Sequence, residues 1–151
     1  MDWIFYAIFT TITLILCWTI ILINYVKVER FLDDTLEVYP IHGLIPYLFW
    51  TLTLTLFTIG VYYIPDPYYL KDTIYFSVLI INIYAIFTLY VLRDLITTHV
   101  IYIFQLALII FAMASYTDIA LNSSWFILGL LIWTAYMIQS TYHHYLYKLA
   151  Y

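Results

Sequence analysis

At 151 residues, the chain carries 66% hydrophobic and 22% aromatic side chains but only 9% charged ones, where a soluble domain has about 25% charge. That balance excludes a soluble enzyme and a disordered tail, and the net charge of −4 with five basic residues leaves no polybasic stretch for nucleic acid or phosphate. The apolar residues come in blocks matching the roughly 20 residues that cross a bilayer, so one all-α domain is expected, a polytopic membrane helix bundle.

Five transmembrane helices are predicted, at about 3–26, 44–64, 73–92, 99–121 and 124–147. The first is too long for the apolar core of a signal peptide and is preceded only by Asp2, so it reads as a retained span. It holds Cys17, the single cysteine, which excludes an intramolecular disulfide and a Cys-built metal centre and reads as a small packing residue. Tyr6, Thr10, Thr13, Cys17 and Asn24 recur on one face, the face expected to meet other helices. A charged connection follows from Lys27 to Glu37, closed by Pro40 and Gly43. Within it Val28, Phe31, Leu32 and Leu36 keep helical spacing, which predicts a short amphipathic helix lying in the interface.

The second span carries a threonine stripe, Thr51, Thr55 and Thr58 with Tyr62, expected to face its neighbours. Pro65-Asp66-Pro67 makes the next turn. On the third span Asn82 shares a face with Ala85 and Arg93; on the fourth, Thr98, Gln105 and Ala112 line up, joined by Asp94 if that helix starts early. Asn122-Ser123-Ser124 offers a serine cap for the last span. Lys27, Arg30, Arg93 and Lys148 then fall on one side and Lys71 on the other, so the positive-inside rule places the N-terminus outside and the C-terminus inside.

Of the 18 tyrosines, Tyr6, Tyr25, Tyr39, Tyr47, Tyr62, Tyr63, Tyr68, Tyr69, Tyr142, Tyr145, Tyr147 and Tyr151 sit near span ends, as an interfacial aromatic belt requires. Tyr75, Tyr84, Tyr90, Tyr102, Tyr116 and Tyr136 lie deeper and need hydrogen-bond partners or a polar cavity.

All four histidines, His42, His99, His143 and His144, fall on the basic side. Imidazoles gathered from several helices at one depth are what a haem b or a metal ion requires, so these four are the candidate cofactor-binding residues. Gln139 shares a helical face with His143, Ser140 lies one turn before His144, and Asp94, Glu29 or Glu37 could orient an imidazole. His99 with Arg93 and Tyr102 forms a candidate quinone or lipid contact. Asp66, Asp72 and Asp118 lie near span ends, and no ionisable residue stands at mid-span, which argues against a stand-alone pump.

The expected function is a non-catalytic integral subunit of a larger membrane complex, an energy-transducing or oxidoreductase assembly of the electron-transport kind. Its partners are other integral-membrane subunits and the lipid bilayer, in a prokaryotic plasma membrane or the mitochondrial inner membrane. Two alternatives stand beside it: a small b-type cytochrome, quinone-site or metal-site subunit built on the histidines, and a homo-oligomeric channel or carrier using the threonine stripe, Asn82 and Gln105.

Overall fold

An unbroken apolar segment can satisfy its own backbone N–H and C=O groups only as a helix, and the Ile, Leu, Phe and Tyr blocks fold accordingly. The computed structural model describes residues 3–31, 44–65, 70–118 and 121–150. Their regular elements are five helices and no strand: α1 (Trp3–Phe31), α2 (Leu44–Tyr62), α3 (Lys71–Tyr90), α4 (Leu95–Thr117) and α5 (Leu121–Ala150). The first four are long and apolar enough to cross a membrane. The fifth, 30 residues long, is the least apolar, its second half holding Gln139, Ser140, His143 and His144.

The helix boundaries differ by a few residues from those read in the sequence, and three of the differences have a visible cause. α1 continues through Lys27, Glu29 and Arg30 to Phe31, because Val28 and Phe31 extend its apolar period and no Pro or Gly interrupts it before Pro40. The predicted interfacial helix therefore begins as the end of α1, and its remainder lies outside the described residues. α4 starts at Leu95, four residues earlier than expected, because Asp94 is its N-cap: an extended residue whose carboxylate accepts the Thr97 N–H at 3.1 Å. Ser124 caps nothing. It lies inside α5, where its hydroxyl contacts Met113 O at 3.1 Å and Thr117 Oγ1 at 2.8 Å, tying α5 to α4.

The helices close a ring in the order α1, α3, α4, α5, α2, with α2 and α3 also touching across it. That cross-contact carries a hydrogen bond between two wholly buried side chains, Trp50 Nε1 donating to Asn82 Oδ1 at 2.9 Å. The Asn82 amide in turn donates to Val78 O at 2.8 Å. The ring is thereby divided into a half bounded by α1, α2 and α3 and a half bounded by α2, α3, α4 and α5.

Hydroxyls hold the three-helix half together. Thr10 meets the Tyr75 hydroxyl at 2.5 Å and Thr58 at 2.8 Å, while Tyr75 donates to Tyr6 O at 2.9 Å. Tyr6 donates to Asp72 at 2.7 Å. Lys71, buried at the start of α3, donates to Ile64 O at 2.8 Å and lies 5.5 Å from the Tyr6 ring centre, bringing positive charge to the C-terminal end of α2.

Aromatic rings fill the four-helix half. The Tyr47 ring packs edge-on at 5.6 Å from both Tyr90 and Trp133. Cys17, Tyr47, Tyr90, Tyr102 and Trp133, one from each helix, are all buried. Edge-to-face ring packing thus fills the centre of this half, and polar pairs between α3, α4 and α5 tie its rim.

Two expectations about faces are corrected here. Tyr6 and Tyr47 are not belt residues but are fully buried, whereas Tyr84, placed deep by its position, is 60% exposed. On α2 the buried face is Tyr47, Trp50, Leu54, Phe57 and Val61, and Thr55 and Tyr62 lie on the surface. The stripe meets its neighbour α1 in part: Thr51 accepts from Trp18 Nε1 at 2.9 Å and buried Thr58 meets Thr10, whereas exposed Thr55 donates to Thr51 O one turn back at 2.8 Å and needs no partner helix.

Two outcomes are expected. Asn82→Leu leaves the buried Trp50 N–H without its acceptor and should lower unfolding stability in mixed detergent micelles by about 1–3 kcal/mol, most of it recovered in the Trp50→Phe/Asn82→Leu double variant. A Cβ at Gly60 would stand 2.8 Å from Phe126 Cβ and 3.0 Å from Ser123 O, whereas at Gly129 the nearest atom is Thr53 Cγ2 at 3.3 Å. Gly60→Ala should therefore cost about 1–3 kcal/mol in the same assay, clearly more than Gly129→Ala.

Candidate functional site

The end of the bundle that holds the histidines is fixed by the α3–α4 turn and the α4–α5 register. Arg93 takes the left-handed backbone conformation, φ 52°, which reverses the chain within four residues. Thr97 Oγ1 donates to Asp94 Oδ2 at 2.6 Å and Thr98 Oγ1 to Asp94 O at 2.7 Å. Thr88 and Thr98 then meet at 2.8 Å, joining the end of α3 to the start of α4. The Thr97 hydroxyl, assisted by the Thr97 N–H, holds the Asp94 carboxyl below the usual carboxylate range.

The register of α4 against α5 rests on polar pairs. His99 Nδ1 meets Thr141 Oγ1 at 2.9 Å, Gln105 Nε2 donates to Thr134 Oγ1 at 2.7 Å, and Thr117 meets Ser124 at 2.8 Å. In each pair one residue stands about as far before the α4–α5 turn as its partner stands after it. The rotation thus imposed on α4 turns half-buried His99 toward α5, where it lines a groove of about 280 Å³ with Leu95, Ile96, Tyr142 and Tyr145. The Tyr142 ring is tilted 36° to the imidazole, 6.1 Å between centres.

The predicted site residues are distributed unequally around this groove. His143, half-buried on the next position of α5, accepts from the Gln139 amide at 2.7 Å, as their shared face implied, and its ring lies 5.8 Å from Tyr142. His144 is fully buried, since adjacent helical residues point about 100° apart. His42 lies outside the described residues. Arg93 is exposed and does not line the groove. Tyr102 faces the interior of the bundle beside Trp133, so the predicted trio of His99, Arg93 and Tyr102 does not line one groove. Among the described residues no group of three or more His, Cys, Asp or Glu side chains comes together as a metal site.

Sequence reasoning had placed Tyr142 and Tyr145 in the belt and had assigned Thr141 no role. The signal that would have found Thr141 is the mirrored spacing of polar residues about the α4–α5 turn. Comparison with known proteins finds no matching family model, no matching curated protein and no matching solved structure.

Asp94→Ala removes the α4 cap and should lower stability by about 1 kcal/mol near neutral pH. A carboxyl whose folded value is depressed stabilises above its unfolded value and loses that contribution as pH falls through the folded one. The difference between wild type and Asp94→Ala, measured by detergent unfolding at a series of pH values, should therefore shrink as the pH falls below about 4.

Proposed function

We propose that the chain is a non-catalytic integral subunit of a larger membrane complex, with α5 as a fifth span, the N-terminus outside and the C-terminus inside. The observation that carries this reading is the uncovered apolar face of α1. Only 28% of its spanning window is buried, against 56% for α3, and Trp3, Phe5, Ile8, Ile12, Ile15 and Ile23 stand outward along it. A helix committed on one face and apolar over the rest suits burial in lipid and against other spans.

The interior supports a structural role. Asn82 is bonded to Trp50 and the Gln105 amide to Thr134, so the two central amides serve packing between helices rather than a conducting path. The described ionisable groups Lys71, Asp72, Asp94, His99 and His143 lie at or near helix ends, where they need not cross the hydrocarbon. An energy-transducing or oxidoreductase assembly, in a prokaryotic plasma membrane or the mitochondrial inner membrane, is the setting we assign. That step rests on the small size and nearly all-apolar composition of the chain.

Extraction of native membranes in a mild detergent, followed by native mass spectrometry, tests the proposal. The expected result is a complex several times the 18.1 kDa chain mass with other spanning subunits in fixed stoichiometry, lost in an Ile8→Glu/Ile12→Glu variant that still folds. A monomer, or a ring of this chain alone, would overturn it.

A further inference from the structure

The hydrogen bonds around His99 fix which of its ring nitrogens carries the proton. The Thr141 hydroxyl has one proton, and its oxygen lies 2.8 Å from Met137 O and 3.2 Å from Ile138 O, both of which can only accept. With that proton spent on its own helix, Thr141 Oγ1 is left to accept from His99 Nδ1 at 2.9 Å. Nδ1 therefore bears the hydrogen, and in the neutral ring Nε2 presents a lone pair. Nε2 makes no hydrogen bond among the described residues.

The groove that His99 lines has a distinct chemical character. Leu95, Ile96, Tyr142 and Tyr145 bring no charge to its walls, so no side chain there forms an ion pair with a phosphate or an ammonium. Its volume of about 280 Å³ is at the small end of ligand sites, enough for one ring rather than a drug-sized molecule. The Tyr142 ring supplies a flat wall beside the imidazole. It also opens at the end of α4, one turn past the Asp94 cap, where the polar head of an amphiphile sits when its tail runs along the helices.

We propose that this groove binds the head of a lipid-phase hydroquinone, a neutral hydroxylated aromatic ring that stacks beside Tyr142 and donates its O–H to His99 Nε2. The Nδ1-protonated form makes the site selective for oxidation state. A quinone offers only carbonyl acceptors, which Nε2 cannot engage, so the imidazole favours the reduced ring over the oxidised one. Thr141 is the positioning residue, acting through the imidazole.

The test uses the full chain in lipid nanodiscs, labelled with ¹⁵N-histidine, at about pH 8. The His99 resonances, assigned with His99→Gln, should show a protonated Nδ1 and a bare Nε2; the opposite tautomer overturns the proposal before any ligand is added. Titration with decylubiquinol should shift the Nε2 resonance, with decylubiquinone binding at least tenfold more weakly and cholesterol leaving the resonance in place. Thr141→Val, which leaves the wall of the groove intact, should mix the tautomers and weaken decylubiquinol binding several-fold. Equal binding of the oxidised and reduced rings, or a cholesterol response as large as that of decylubiquinol, would overturn the assignment.

Discussion

The hydrogen bond from Trp50 to Asn82 holds α2 and α3 together across the ring, and the packing on either side depends on it. Both groups are wholly buried, where an unpaired indole N–H or amide would have no water to turn to. The Asn82 amide nitrogen is satisfied by its own helix through Val78 O, which aims the carbonyl at Trp50. One asparagine thus fixes the rotation of α3 and the approach of α2 at once.

The two halves on either side of that bond use different physics. Between α1, α2 and α3, hydroxyls of Tyr6, Thr10, Thr58 and Tyr75 bond to one another, to a backbone carbonyl and to Asp72. Such bonds set exact distances with little bulk, which suits helices lacking glycine on their facing sides. Between α2, α3, α4 and α5, the buried rings of Tyr47, Tyr90, Tyr102 and Trp133 fill the space, Tyr90 and Trp133 meeting Tyr47 edge to face. Close backbone approach is reserved for α2 and α5 at Gly60. The His99 groove follows from the remaining constraint, the α4–α5 register set by Thr141, Thr134 and Ser124.

Parts of this were legible in the chain because polar side chains in an apolar helix must go somewhere. Tyr6, Thr10, Thr13 and Cys17 on α1, and Thr98, Gln105 and Ala112 on α4, are buried as their period implied. The α2 stripe is only half right: Thr51 and Thr58 bond to α1, but Thr55 spends its hydroxyl on the carbonyl one turn back and sits on the surface at little cost. Tyrosine position misleads for a related reason. The ring is apolar enough for the core and polar enough for the interface, so depth alone did not distinguish buried Tyr47 from exposed Tyr84.

By itself the sequence determined an all-helical chain, four of whose helices are long and apolar enough to cross a membrane, and the absence of charge from mid-span. These follow from hydropathy and from backbone hydrogen bonds that reach only one turn along the chain. Only the tertiary structure decided the order of helices around the ring, the inward turn of Tyr47, the absence of Tyr102 from the groove that His99 lines, and the pairing of His99 with Thr141. Those depend on side chains tens of residues apart meeting at hydrogen-bond distance and on which rings fill a shared space, and neither is written in the period of a single helix.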